Sequence, residues 1–188
     1  MIRSFIAIEI PDELKNDVLE IQKRFKAVSA DASWTRTDGI HLTLKFLGNV
    51  EEKKIEDIKR ILEEIARGTQ RIKIKIGGVG AFPNQKMPRV LWIGIRNEDG
   101  ALEGLYKRID AELSEMGFEK EDRDFKPHLT LGRMRSQKGR EGIIKLLEES
   151  KDKELGVFIA SDMRLVKSEL QPQGAVYTEL ARFEFGRS

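Results

Sequence analysis

The two histidines of this 188-residue chain sit in identical tetrapeptides, His41-Leu42-Thr43-Leu44 and His128-Leu129-Thr130-Leu131. An imidazole with its ordinary pKa of about 6.5 is available in both neutral and protonated form near neutrality. A single His-x-Thr on a strand is usually a half-buried polar pair. Two copies holding all the histidine of the chain point instead to a reaction that needs one base and one acid together. Side chains alternate along a strand, so His41 and Thr43 are expected on one face with Leu42 and Leu44 on the other, and likewise for His128, Thr130, Leu129 and Leu131. The leucines would face a core and the His and Thr side chains a shared cleft. Across a pseudo-twofold axis, two such imidazoles approach a bound group from opposite sides. In-line displacement at phosphorus requires that layout, because the attacking and leaving oxygens lie roughly opposite each other.

The neighbours of the motif complete the candidate site. Thr43 and Thr130 are candidate donors to non-bridging phosphoryl oxygens, and the Arg133 guanidinium is a candidate to neutralise charge that develops there. Strict alternation would put Arg133 on the face opposite His128, so a bulge or kink at Gly132 is expected to return it. Lys45 is expected on the face of His41 and Thr43, either touching phosphate or as an ordinary surface lysine. Phe5, Trp34, Phe46 and Tyr177 are candidates to stack on a nucleobase, against core or lobe-interface packing, the weightier expectation for most of them. From Phe125 to Arg140 there are five cations, Lys126, Arg133, Arg135, Lys138 and Arg140, and no carboxylate. That stretch beside the second motif would attract a polyanion.

Positioning these residues requires a definite order of elements. Ile2–Ile10 reads as a strand, followed by a helix that starts at Pro11 and carries Leu14, Val18, Ile21, Phe25 and Val28 at helical spacing. A loop with Trp34 and Arg36 leads to the first motif strand, Ile40–Leu47, which Gly48 ends. A helix follows with its start near Asn49 and Glu52, and then Arg71–Ile76 alternates strictly as a strand with one wet face. After a turn-rich stretch from Gly77 to Pro88, the order repeats. Val90–Ile95 is a strand, Leu102–Met116 a helix closed by Gly117, and next comes the second motif strand. A helix near Arg140–Glu149, strands near Leu155–Ala160 and Met163–Glu169, a turn Gln171-Pro172-Gln173-Gly174 and a last strand, Ala175–Phe185, complete the chain. Each half thus reads strand, helix, motif strand, helix, strand, which implies an internal duplication.

The expectation for the fold is therefore α+β and bilobal. Two pseudo-twofold-related lobes of mainly antiparallel sheet carry helices on their outer faces and enclose a central cleft. Residues 1–188 would form a single catalytic domain with halves of roughly 1–80 and 89–188, strands being free to cross between them.

Composition narrows the function classes. A content of 39% apolar and 35% charged residues is that of a soluble globular protein. The N-terminal run lacks a basic leader and a cleavage site, and no apolar stretch is long enough to cross a bilayer, so a cytoplasmic protein without membrane association is expected. With no cysteine and two histidines, no metal site and no cofactor are expected, and neither a P-loop nor a dinucleotide glycine fingerprint occurs. Abundant Lys, Glu, Arg and Ile with few Asn and Gln suit a thermophile.

Paired His-x-Thr-x motifs in the two halves, with Pro127 before the second and Arg133 after it, resemble the two-histidine (2H) phosphoesterase superfamily. The likeness is closest to the RNA 2′,3′-cyclic phosphodiesterases, historically called 2′-5′ RNA ligases. It extends over Arg3-Ser4-Phe5-Ile6-Ala7-Ile8, Pro11, Trp34, the Phe46-Leu47-Gly48 ending and Ser168–Tyr177. The resemblance implies metal-independent hydrolysis of an RNA 2′,3′-cyclic phosphate end to a 2′-phosphate, with His41 as general acid, His128 as base, and Thr43, Thr130 and Arg133 binding the phosphoryl oxygens. It also implies a reverse, ATP-independent 2′-5′ joining step. The expected partner is RNA bearing such an end, tRNA halves among the candidates, acted on by a monomer. The alternatives are a non-catalytic RNA-end-binding module, an interaction protein in which the tetrapeptide reflects duplication alone, and a phosphodiesterase acting on a small cyclic nucleotide or ADP-ribose cyclic phosphate.

Overall fold

The structure is a computed structural model that describes residues 1–172 and 174–186. Its elements in chain order are β1 (Ile2–Glu9), α1 (Asp12–Lys26), β2 (Ala32–Trp34), β3 (His41–Val50), α2 (Ile55–Arg67), β4 (Ile72–Phe82), β5 (Val90–Arg96), α3 (Ala101–Glu115), β6 (His128–Met134), α4 (Arg140–Ser150), β7 (Glu154–Ala160), β8 (Asp162–Gln171) and β9 (Gly174–Glu184). The strands form two sheets, one in the order β3-β1-β8-β9 and the other in the order β2-β6-β5-β4-β7. Adjacent strands are antiparallel in both.

Each sheet draws strands from both halves of the chain. β1 and β3 of the first half are completed by β8 and β9 of the second, and β5 and β6 of the second half by β2 and β4 of the first. The helices cross over too. α2 packs on β8 and β9 and α3 on β3, against the first sheet, while α1 packs on β7 and α4 on β4, against the second. The helical stripes read from the sequence are what these contacts bury: Val18, Ile21 and Phe25 of α1, Ile58, Leu62 and Ile65 of α2, and Leu105, Ile109 and Leu113 of α3. One continuous core holds them together with Leu42, Leu44, Leu129 and Leu131 of the two motifs. Among the described residues, no helix is long and apolar enough to cross a membrane.

Several boundaries differ from the sequence reading, each for a local reason. Gly48 does not end its strand. It adopts φ +66° inside β3, where Leu47 is bulged between the pairs Phe5–Phe46 and Ser4–Gly48, and pairing continues to Val50. Asn49 is therefore still in the strand, and helix entry is made by a 3-10 turn over Glu52–Lys54. The glycines at 77 and 78 are not the start of a turn; they form a bulge in β4, with Gly78 at φ +75°, and the strand runs on to Phe82. Trp34 lies not in a loop but in β2, paired to Gly132 at the edge of the second sheet. The turn expected at 171–174 falls partly on Gln173, outside the described residues.

Candidate active site

The two motif strands start alike. His41 and Thr43 are half-buried while Leu42 and Leu44 are buried, and the same holds for His128 and Thr130 against Leu129 and Leu131. β3 and β6 belong to different sheets, yet they contact each other, which brings the two motifs together.

Past the threonine, both strands depart from alternation in the same way. Opposite β1, Thr43 pairs Ala7 and Lys45 pairs Ile6, leaving Leu44 without a partner. Opposite β5, Thr130 pairs Trp92 and Gly132 pairs Leu91, leaving Leu131 without one. The fourth residue of each tetrapeptide is thus a β-bulge, after which two consecutive residues point inward. Leu44 and Lys45 are both buried, as are Leu131 and Gly132, whereas Phe46 and Arg133 are exposed on the motif face. The bulge expected at Gly132 therefore lies one residue earlier. Gly132 has a different duty: a Cβ there would meet the Trp34 ring at 2.7 Å, so the position must be bare for Trp34 to pack.

The bulge also corrects the placement of Lys45. Its side chain is turned inward, where Nζ donates to Asp110 Oδ1 at 2.5 Å and to the Glu119 carbonyl at 2.8 Å. Only 3% of the residue is exposed, and it ties β3 to α3. Phe46 takes the place on the motif face that simple alternation assigns to Lys45. At the second bulge, Gln22 of α1 has the corresponding duty, its Nε2 donating to the Thr35 carbonyl at 2.7 Å and to the bulged Leu131 carbonyl at 2.8 Å. Gln22 was invisible as a site-supporting residue because it reads as one more polar position on an amphipathic helix. Gln22→Leu is expected to lower stability by about 1 kcal/mol, since the Leu131 carbonyl keeps the Thr35 N–H at 2.9 Å and the part-buried Thr35 carbonyl loses the Gln22 amide, and to reduce turnover by loosening the bulge that orients Arg133. Urea unfolding alongside kcat measures both.

The aromatic candidates divide. The Phe5 ring, buried, stacks on His41 with centroids 4.7 Å apart, and Tyr177 meets His41 edge-on at 5.4 Å. Phe5 and Tyr177 thus wall the imidazole. Trp34 packs over Gly132, and Phe46, 66% exposed, is the most open of the four, Trp34 and Tyr177 being half-buried. On the other side Phe82 meets His128 edge-on at 5.1 Å.

These surroundings set the protonation of both rings. Burial pushes the His41 imidazole down to about 4, assisted by Lys15 and opposed by the carboxylates of Glu9 and Asp38 and by the Asp38 backbone. Burial also lowers His128, with the Lys126 carbonyl opposing and the charge of Arg133 assisting. The His128 Nδ1 lies 2.7 Å from the Lys126 carbonyl; a carbonyl only accepts, so Nδ1 carries a proton and the free lone pair of the neutral ring is on Nε2. Among the described residues, no three His, Cys, Asp or Glu side chains converge to form a metal-ligand set.

The comparisons with known proteins agree with this duplicated geometry. The family model for LigT-like phosphoesterases matches twice, over residues 8–92 and 93–177. The RNA 2′,3′-cyclic phosphodiesterase of Methanothermobacter thermautotrophicus is 35% identical over 97% of this chain and 98% of its own. That of Methanocaldococcus jannaschii is 38% identical over 93% and 96%. Among solved structures, TT0787 of Thermus thermophilus superposes with a TM-score of 0.83 at 27% identity, covering 97% of both chains, and Escherichia coli LigT in complex with 3′-AMP shares the fold with a TM-score of 0.77 at 22% identity over 98% of both. With a family model covering each half and relatives this similar along nearly the whole length, the chain belongs to the LigT-like branch of the 2H phosphoesterases.

Proposed function

We propose that this protein hydrolyses RNA 2′,3′-cyclic phosphate ends to 2′-phosphates by two-histidine acid–base catalysis. The observation that supports it most is the repeated bulge, which leaves His128, Thr130 and Arg133 on one face of β6 while His41 and Thr43 share one face of β3. His128, with Nδ1 bound to the Lys126 carbonyl, offers Nε2 to take the proton of the attacking water. His41 protonates the departing 3′ oxygen. Thr43 and Thr130 donate to the non-bridging oxygens, and Arg133 balances the charge that grows on them in the transition state. None of these steps calls on a metal ion. Exposed Lys126, Arg135 and Lys138 beside the second motif suit a polyanionic substrate, with tRNA halves in that class. Because each sheet needs strands from both halves, the whole chain acts as one bilobal catalytic unit, read here as a cytoplasmic monomer.

The direct test is an RNA ending in 2′,3′-cyclic phosphate, incubated with the protein in excess chelator. The expected product is the 2′-phosphate. Metal dependence, an inert cyclic end, or faster cleavage of a small cyclic nucleotide than of RNA would overturn the assignment. The pH dependence of kcat/KM is a second expectation. Both imidazoles are lowered in the free protein, so the profile should be a bell that rises through a value near 4 and falls through one below 6.5. Both values belong to the pair, not to one ring each. The profile of kcat should lie at higher pH, because the bound phosphodiester's charge favours imidazolium. A kcat/KM optimum above pH 8 would contradict the pairing.

A further inference from the structure

The two histidines are held by different means. The His41 ring lies against the stacked ring of Phe5, whereas the His128 ring meets Phe82 edge-on. A phenyl edge makes no hydrogen bond to a ring nitrogen, so the tautomer of His128 rests on the 2.7 Å bond between Nδ1 and the Lys126 carbonyl. That carbonyl belongs to residues 118–127, which form neither helix nor strand. A general base needs its lone pair on one particular nitrogen. The irregular backbone that secures it must therefore be fixed from outside.

Helix α3 supplies the anchors. Tyr106 and Asp110 stand one turn apart on one face of α3. The Asp110 carboxylate accepts from the Glu121 N–H at 3.2 Å and pairs with Lys45, whose Nζ also donates to the Glu119 carbonyl at 2.8 Å. Four residues further along, the Phe125 ring stacks on Tyr106 with centroids 4.1 Å apart and planes 10° from parallel. Phe125 also packs against the main core. Lys126 comes next, exposed, and Pro127 after it restricts Lys126 to extended backbone. The Pro127 carbonyl in turn accepts from the Ile95 N–H of β5 at 3.2 Å. The Lys126 carbonyl is thus suspended between a ring clamped to α3 and a proline tied to β5.

We infer that Tyr106 and Phe125 are positioning residues for the base: their stack sets the direction of the Lys126 carbonyl and so keeps the His128 proton on Nδ1 and the lone pair on Nε2. The catalytic meaning of that lone pair rests on the two-histidine reading above, while the tautomer itself does not. Without the stack the neutral ring divides between two tautomers, and the one protonated on Nε2 cannot take a proton from water there. The first motif contributes from a distance, because the bulge that turns Lys45 inward fastens the start of the same segment.

The test pairs ring 15N spectra with kinetics on Phe125→Leu and Tyr106→Leu, which keep an apolar side chain, and on Phe125→Tyr, which keeps the ring. The two histidines of the chain give two imidazoles, assigned with His41→Ala. At a pH of about 8, above the lowered pKa of both rings, wild-type His128 is expected as the Nδ1–H tautomer. Each leucine variant should give a tautomer mixture. Each should also lower kcat on a cyclic phosphate end by about 10-fold or more with KM little changed, given that a misplacement of about 1 Å can cost about 100-fold. The double variant should be no worse than either single one, since both break the same stack, and Phe125→Tyr should restore both readouts. A wild-type ring protonated on Nε2, or a tautomer undisturbed in either leucine variant, would overturn the proposal whatever happens to kcat, because a fall in kcat would then report general packing alone. A disturbed tautomer with unchanged kcat would overturn it as well. If the wild-type protein leaves cyclic ends intact, the cyclic-end reading fails, and the spectra still decide whether the stack governs the ring.

Discussion

His41→Ala and His128→Ala are each expected to lower kcat on a cyclic phosphate end by roughly 10²–10⁴-fold, the usual contribution of one positioned acid or base. The double variant should be far less than multiplicatively worse, because acid and base act on the same displacement. Retention of more than a tenth of the activity by either single variant would reduce that histidine to a phosphate contact, as a non-catalytic end-binding module requires. A second readout separates catalysis from folding. The His41 pKa is depressed to about 4 from an ordinary value near 6.5, so between those values the unfolded chain binds the proton that the folded one refuses. Stability therefore increases as pH rises from 4 to 6.5, by on the order of 3 kcal/mol for a shift of this size. In His41→Ala that slope should flatten. Thermal unfolding at pH 4.5 and 7 checks it, and an unchanged slope would show that His41 is not the group responsible.

Lys45→Met is expected to lower the unfolding free energy by about 3–5 kcal/mol, because it strands the Asp110 carboxylate in a buried site with one partner removed. The remaining donor to that carboxylate is the Glu121 backbone N–H at 3.2 Å. Replacing both partners, in Lys45→Met with Asp110→Leu, should recover most of the loss, since a well-packed apolar pair avoids the desolvation that the ion pair bears. Urea midpoints with unchanged m-values are the measurement. KM for a cyclic phosphate end should not change in Lys45→Met wherever the protein is folded. A raised KM would return Lys45 to the phosphate, the position that simple alternation assigns it.

The helical stripes of α1, α2 and α3 and the inward leucines of both motifs were legible in advance, since each depends on a period of 3.6 or 2 that the chain carries locally. Lys45, Arg133 and Trp34 show where that legibility stops. A bulge arises when one strand runs a residue ahead of its partner, and the partners here, β1 and β5, are separated in the chain from the strands they pair by a helix and its loops. Nothing within His-Leu-Thr-Leu reports the slip. The same applies to the glycines at 77, 78 and 80. Locally they read as turn residues, yet in the sheet the glycines at 77 and 78 form a bulge against residues 151–154, and the Trp92 ring from the next strand lies over Gly80.

By itself the sequence determined that two histidines share one repeated strand context, that His and Thr face away from the leucines, and that the fold is a duplicated α+β arrangement. These follow from composition and periodicity, which need no knowledge of distant neighbours. The tertiary structure alone decided that both motifs bulge at their fourth residue, that Lys45 is buried while Arg133 stays exposed, and that strands and helices are exchanged between the sheets. Each of those depends on which long-range partner lies across a strand, and that partner is chosen only when the whole chain has folded.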